Sequence, residues 1–113
     1  MDCLFCKIAS GEIPANIVYR DDLIVAFDDI NPQAPQHKIL IPQKHVATFN
    51  DLHDEDGELA GHMVQSAVML AKQLNIAEEG YRIVMNCNAG AGQSVFHIHL
   101  HLLGGRKLSW PPG

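Results

Sequence analysis

The chain has 113 residues, 47% hydrophobic and 19% charged, enough apolar content to bury one core without crosslinks and too much for a disordered or fibrous chain. Thirteen acidic residues against eight basic ones give a formal net charge of −5, and with no local basic patch this argues against nucleic acid as a partner. The three cysteines, a close pair at Cys3 and Cys6 plus a distant Cys87, make no disulfide framework and indicate a reducing compartment.

The first residues meet charge at Asp2 and Lys7, unlike a signal peptide, and no apolar run is long enough to cross a bilayer. The expectation is a cytoplasmic protein with no membrane contact. Leu4, Phe5, Ile8 and Ala9 have the spacing of a short helix, with Gly11 as its stop and Pro14 beyond. "NIVYRDDLIVAFDDINP" reads as two strands broken at Arg20-Asp21-Asp22, and "HKILIP" as a third closed by Pro42. From Asp51 to Leu74 the chain reads as one long helix, with Asp54, Glu55, Asp56 and Glu58 at its start and Leu59, Met63, Ala67, Leu70 and Leu74 at helical spacing. "YRIVMN" is the fourth strand. A fifth carries "HIHLHLLGG", and "GGRKLSWPPG" is an irregular tail. The whole chain, residues 1–113, is expected to be one α+β domain: an antiparallel five-stranded meander with one short N-terminal helix and one long helix.

Seven histidines are the compositional oddity, and His97, His99 and His101 alternate along the fifth strand. Alternation puts these three on one face and Phe96, Ile98, Leu100 and Leu102 on the other, so one face seeks a core while the other lines a site. Three imidazoles on one face can pack, bind a metal or handle phosphate and protons. Three histidines plus a water is a zinc-hydrolase arrangement, but same-face neighbours on a strand lie roughly 6–7 Å apart, so two would chelate more readily than three. The preceding loop "NAGAGQS" tilts the reading toward phosphate: its small residues free backbone N–H groups for an anion, and Ser94 adds a hydroxyl. It lacks the lysine of a Walker loop, and a strand follows it instead of a helix. An imidazole with a pKa near 6.5 serves as nucleophile and proton carrier at neutral pH.

"HIHLHLLGG" preceded by "AGQS" resembles the histidine triad (HIT) superfamily, and "DINPQAPQHKILIPQKH", "GYRIVMN", "LLGGR" and "WPPG" extend the likeness over nearly the whole chain, toward its Hint branch of purine nucleoside phosphoramidases. The resemblance implies that His99 attacks the α-phosphorus of a nucleoside phosphoramidate, AMP-NH2 or AMP-lysine in type, and forms a nucleotidyl-histidine that water hydrolyses to AMP or GMP. His101 and Ser94 would contact phosphate, one of them passing a proton to the leaving nitrogen. His37 would complete a relay, although Gln36 stands where the family has Thr. Asn86 and the backbone at Gly92 and Gln93 would position phosphate oxygens, and Asp29 would accept both ribose hydroxyls. Phe5, Ile8, Ile13, Phe27 and Ile30 would form the purine slot.

No cofactor is implied for catalysis. Cys3, Cys6, His45 and His97 form a ligand set for a structural zinc, as in some bacterial relatives. A homodimer is implied, with Trp110 in the tail of one chain at its partner's site. Ala91-Gly92-Gln93-Ser94, where the branch commonly has a second glycine first, and the "CLFC" start are departures. The alternatives are a dinucleoside polyphosphate hydrolase of the same superfamily, a nucleotide-binding regulatory module and a tri-histidine zinc hydrolase.

Overall fold

A computed structural model describes residues 2–113. Helix α1 (Leu4–Ser10) opens it, followed by strands β1 (Ile17–Arg20), β2 (Ile24–Asp28) and β3 (Gln36–Pro42), helix α2 (Gly57–Gln73), and strands β4 (Tyr81–Val84) and β5 (Leu100–Gly104). Gly11 ends α1 as the sequence implies: at φ +85° its N–H returns to the carbonyl of Ile8, a left-handed cap that costs glycine little.

All five strands pair antiparallel, in the order β1-β2-β3-β5-β4. The first three form a meander. The last two do not continue it, because the chain crosses from β3 through α2 to the far edge and returns along β5 into the gap. The burial of the two strands explains the inversion. Leu100 and Leu102 of β5 are fully buried, so β5 takes an interior place, whereas β4 is half-buried throughout and takes the edge.

The regular part of the histidine strand begins only at Leu100, so of the three alternating histidines only His101 lies in β5. The hydrogen bonds before it go elsewhere. Ile98 N–H donates to the carbonyl of Val46, and the carbonyl of His97 is taken by the His99 imidazole. Phe96, expected to face the core, is 47% exposed. The long helix also starts later than the acidic run implies. Two 3-10 turns, Phe49–Asp51 and Asp54–Asp56, precede it, and the acidic residues cap those turns, Asp51 accepting from Thr48 N–H and Asp56 from His53 N–H.

The sheet separates two apolar layers. On one face Ile24, Ala26, Leu40, Leu100 and Leu102 pack with Met63, Ala67, Leu70 and Ala71 of α2, each large side chain contributing about 1.5–3 kcal/mol by leaving water. On the other, Val25, Phe27, Ile39 and Ile41 pack with Cys3, Phe5 and Ile8 of α1. The histidines face this second, smaller layer.

Candidate active site

Strand register assembles the site. Ile39 of β3 lies opposite His101 of β5, and His37 opposite Leu103, so His37 and His101 are diagonal neighbours on one face. The β2–β3 ladder runs one bond past the strand end, from Asp29 N–H to the carbonyl of His37, and this brings the Asp29 carboxylate alongside. Phe5 of α1 stands edge-on to the His99 ring, centroids 5.0 Å apart.

The hydrogen bonds fix each imidazole's tautomer. The carbonyl of His97 can only accept, so His99 Nδ1, 2.8 Å away, carries its proton and leaves Nε2 with a lone pair. His37 Nδ1 accepts from Gln33 N–H at 3.0 Å, so its proton sits on Nε2. That proton is donated to His101 Nδ1 at 2.8 Å, which assigns the His101 proton to Nε2. One bare Nε2 on His99 and one protonated Nε2 on His101 therefore stand side by side, ring centroids 5.1 Å apart. Asp29 Oδ2 lies 3.3 Å from His37 Nε2 and 4.0 Å from His101 Nδ1, and Asp29 Oδ1 accepts from Asn31 N–H.

Burial pushes the His101 imidazole down to about 4, the neighbouring His99 and His37 adding to the effect and Asp29 opposing it. Burial likewise lowers His37, with Asp29 pulling the other way and Lys38 reinforcing the drop. Both rings are thus held neutral at pH 7. The Asp29, His37 and His101 donors are close enough together to hold a metal, but the tautomers oppose it. Binding through His37 Nε2 would move that proton to Nδ1, against the Gln33 N–H.

These groups line a cavity of about 500 Å³. Among the residues singled out from sequence, His37, His99, His101 and Asp29 meet there, joined by Ser94, Asn86 and Gly92. Phe5 and Ile30 line it as well, Ile30 standing fully exposed at its rim. Ile8 and Phe27 do not line it. They are buried in the layer that supports Phe5, and Ile13 packs against that layer. Trp110 is 80% exposed and away from this chain's own cavity.

Gln93 is a correction of another kind. It is buried, and its side chain is spent inside the protein: Oε1 accepts from Asn88 N–H, and Nε2 donates to the carbonyls of Ala47 and Val95. It shapes the glycine loop, and because the Gln93 N–H is itself given to the carbonyl of Asn88, it leaves nothing for phosphate. Asn88 in that loop has φ +68° and ψ 173°, a region populated almost only by glycine, and the Gln93 contacts hold it there.

Sequence reasoning missed Asn31, Gln33, Ile39 and Val95 as lining residues. The alternation of β3, with Ile39 two places from His37, carried the signal for Ile39. Gln33 could be read only with the fold in hand, since its N–H sets the His37 tautomer and Arg106 of the "LLGGR" motif fixes its carbonyl at 3.0 Å.

Beside the cavity lies the second cluster read from sequence. Ligand atoms of Cys3, Cys6, His45 and His97 all lie within 4.8 Å of one another. His97 Nε2 donates to the carbonyl of Pro42 at 2.8 Å, which turns a bare Nδ1 toward the group. That Nδ1 is 3.4 Å from Cys3 Sγ, 3.5 Å from Cys6 Sγ and 3.2 Å from His45 Nδ1. Zinc–nitrogen bonds of about 2.0 Å and zinc–sulfur bonds of about 2.3 Å, at tetrahedral angles, separate ligands by about 3.3–3.8 Å, so the four residues fit zinc. Burial raises the Cys6 thiol and Cys3 raises it further; a dication here would reverse both effects and release protons on binding.

The HIT domain family profile matches residues 10–108. The chain is 50% identical to the purine nucleoside phosphoramidase of Escherichia coli K12 over 107 residues, 95% of this chain and 90% of that one. It is 51% identical to a HIT-like protein of Synechocystis over 112 residues, covering 99% and 97%. The solved HIT family hydrolase of Legionella pneumophila superposes with a TM-score of 0.98 at 57% identity, covering 99% and 100%, and that of Clostridium thermocellum with 0.92 at 42%, covering 96% and 94%. The fold and the paired histidines already define an α+β protein with an imidazole-lined cavity. With these likenesses, the chain belongs to the HIT domain family.

Proposed function

We propose that this HIT-family hydrolase cleaves the P–N bond of purine nucleoside 5′-phosphoramidates through a nucleotidyl-His99 intermediate. The observation that carries the reading is the tautomer chain, which puts a lone pair on His99 Nε2 beside the N–H of His101 in one cavity. In the first step His99 Nε2 bonds to phosphorus, the P–N bond of the substrate breaks, and the departing nitrogen takes the Nε2 proton of His101. The charge left on His101 is held by the Nε2–H of His37 and by the phosphoimidazolium on His99. In the second step water bonds to phosphorus and returns a proton to His101 Nε2, while His99 leaves as neutral imidazole. The intermediate is itself a P–N bond, so the two steps are comparable in difficulty. Ser94 and Asn86 contact the phosphate, and Asp29 accepts the ribose hydroxyls. The relative of E. coli, named for phosphoramidase activity, supports this substrate class.

Cys3, Cys6, His45 and His97 hold a structural zinc that anchors α1 to the segment before β5. It supplies no step of the reaction. The protein works as a homodimer: β4 has an open edge in the sheet order, Val64 and Met85 stand exposed, and Arg82 on β4 holds the tail through the carbonyl of Ser109. In such a pair Trp110 would face the partner's cavity. No helix among the described residues is long and apolar enough to cross a membrane, and the cysteine usage fits the cytoplasm.

The decisive experiment is incubation with adenosine phosphoramidate in excess EDTA while AMP release is followed. Release that survives chelation supports the histidine mechanism. Release abolished by the chelator at an unchanged Tm would favour a metal hydrolase, and faster release from a dinucleoside polyphosphate would move the substrate to the other class.

A further inference from the structure

The Asp29 carboxylate has two neighbours to serve. Its oxygens face the cavity where a ribose diol would sit, and its Oδ2 also lies 3.3 Å from His37 Nε2, the atom whose proton His101 Nδ1 receives at 2.8 Å. The His37 proton is directed to His101, so what the 3.3 Å approach of Asp29 brings to this pair is its charge. Asp29 Oδ2 stands 4.0 Å from His101 Nδ1 as well, so its charge opposes the negative charge that must build on His101 as the leaving nitrogen takes a proton.

We propose that Asp29 is a specificity-determining switch: the ribose diol, by hydrogen-bonding both hydroxyls to the carboxylate, withdraws its charge from the His37–His101 pair and so commits the relay to reaction. This rests on the nucleoside phosphoramidate reading above. Two O–H donors satisfy the carboxylate and disperse the charge it places beside His37 and His101. The His37–His101 bond then stabilises the developing charge unopposed. Recognition of the sugar is thereby converted into rate, because the interaction gains strength as the reaction proceeds. The carboxylate is held rigidly enough for this. Asn31 N–H fixes Oδ1, and the Asp29 backbone is tied to His37 by its own N–H.

The proposal separates kcat from KM. With the intact enzyme, 2′,3′-dideoxyadenosine phosphoramidate, measured beside adenosine phosphoramidate, is expected to show kcat at least tenfold lower, and not only a higher KM. The Asp29→Ala variant removes the opposing carboxylate. It is expected to turn over the dideoxy substrate with a higher kcat than the wild type does, and to show little difference in kcat between the two substrates. A change confined to KM would overturn the switch and leave Asp29 a plain sugar contact. A dideoxy kcat that falls but is not restored in Asp29→Ala would overturn it too, since the hydroxyls would then act by aligning the substrate. Absence of turnover with adenosine phosphoramidate itself would remove the underlying reading and this inference with it.

Discussion

His99 Nδ1 and the main-chain carbonyl of His97 stand 2.8 Å apart, and this one bond fixes the buried His99 ring with its lone pair on Nε2. The ring cannot rotate without leaving an imidazole N–H and a carbonyl unpaired in a largely dry setting, a cost of about 1–3 kcal/mol for each group. Residue 97 therefore serves the site through its backbone while its side chain faces the cysteines.

Replacement of His99 by Ala is expected to lower turnover of adenosine phosphoramidate by a factor on the order of 10³ or more, with the fold retained. Rapid-quench labelling with a radioactive substrate should trap nucleotide on the wild-type chain and none on the variant. A variant with near-normal rates would exclude the covalent route.

The acid dependence of activity follows from His101. Its imidazole, lowered to about 4, stays neutral far below the usual 6.5, so this group is expected to produce no loss of kcat between pH 8 and pH 5.5. The linked stability runs in the same direction. The unfolded chain protonates this histidine near 6.5 and the folded one only near 4, so its contribution is full above 6.5 and is lost as pH falls toward 4. A pH–rate profile with a fall centred near 6.5 that disappears in His101→Gln would contradict this.

Much of this site could be read before the fold. The triad alternation, the Cys-x-x-Cys pair and the small-residue loop each rest on local periodicity or spacing, and the residues they nominated do meet. Ile8, Ile13 and Phe27 were misplaced because apolar residues on one sheet face look alike in sequence whether they touch a cavity or support the residue that does. The role of Gln93 was hidden for a different reason: a glutamine amide beside a glycine loop can point outward to an anion or inward to three carbonyl and amide groups, and only packing decides. The strand order escaped as well, because a crossover through a helix can return to either side of the strand it left.

Protein purified without chelators is expected to contain about one zinc per chain. Ser substitutions at both Cys3 and Cys6 should remove the metal and lower Tm by several degrees, since α1 would lose its tie to His45 and His97. Elemental analysis with thermal unfolding in parallel provides the check. Metal-free protein of undiminished Tm would show the cluster to be ordinary packing.

Asn88 predicts an unusual pair of outcomes. Glycine at this position should be neutral or stabilising by about 1 kcal/mol, because φ +68° with ψ 173° strains any side chain. Valine there should destabilise by roughly 1–3 kcal/mol. Urea unfolding of the two variants is sufficient, and equal midpoints would mean that the loop carries no strain.

The tail should govern leaving-group choice. Truncation before Leu108 is expected to change relative kcat/KM among phosphoramidates of different amines by several-fold while the dimer persists in sedimentation. Identical selectivity across small, aliphatic and aromatic amines would leave Trp110 without a role.

The two apolar layers on opposite sides of the sheet give the chain room to change. Successive β5 residues face opposite ways, so Leu100 and Leu102 belong to the α2 side while His101, with His99 just ahead of the strand, belongs to the other. Stability can be accumulated by repacking Met63, Leu70 or Leu100 without altering a cavity wall, and then drawn on when a substitution near Phe5 or Ile30 tries a new base or amine at some cost to folding. Such a chain can drift in substrate while its scaffold stays put.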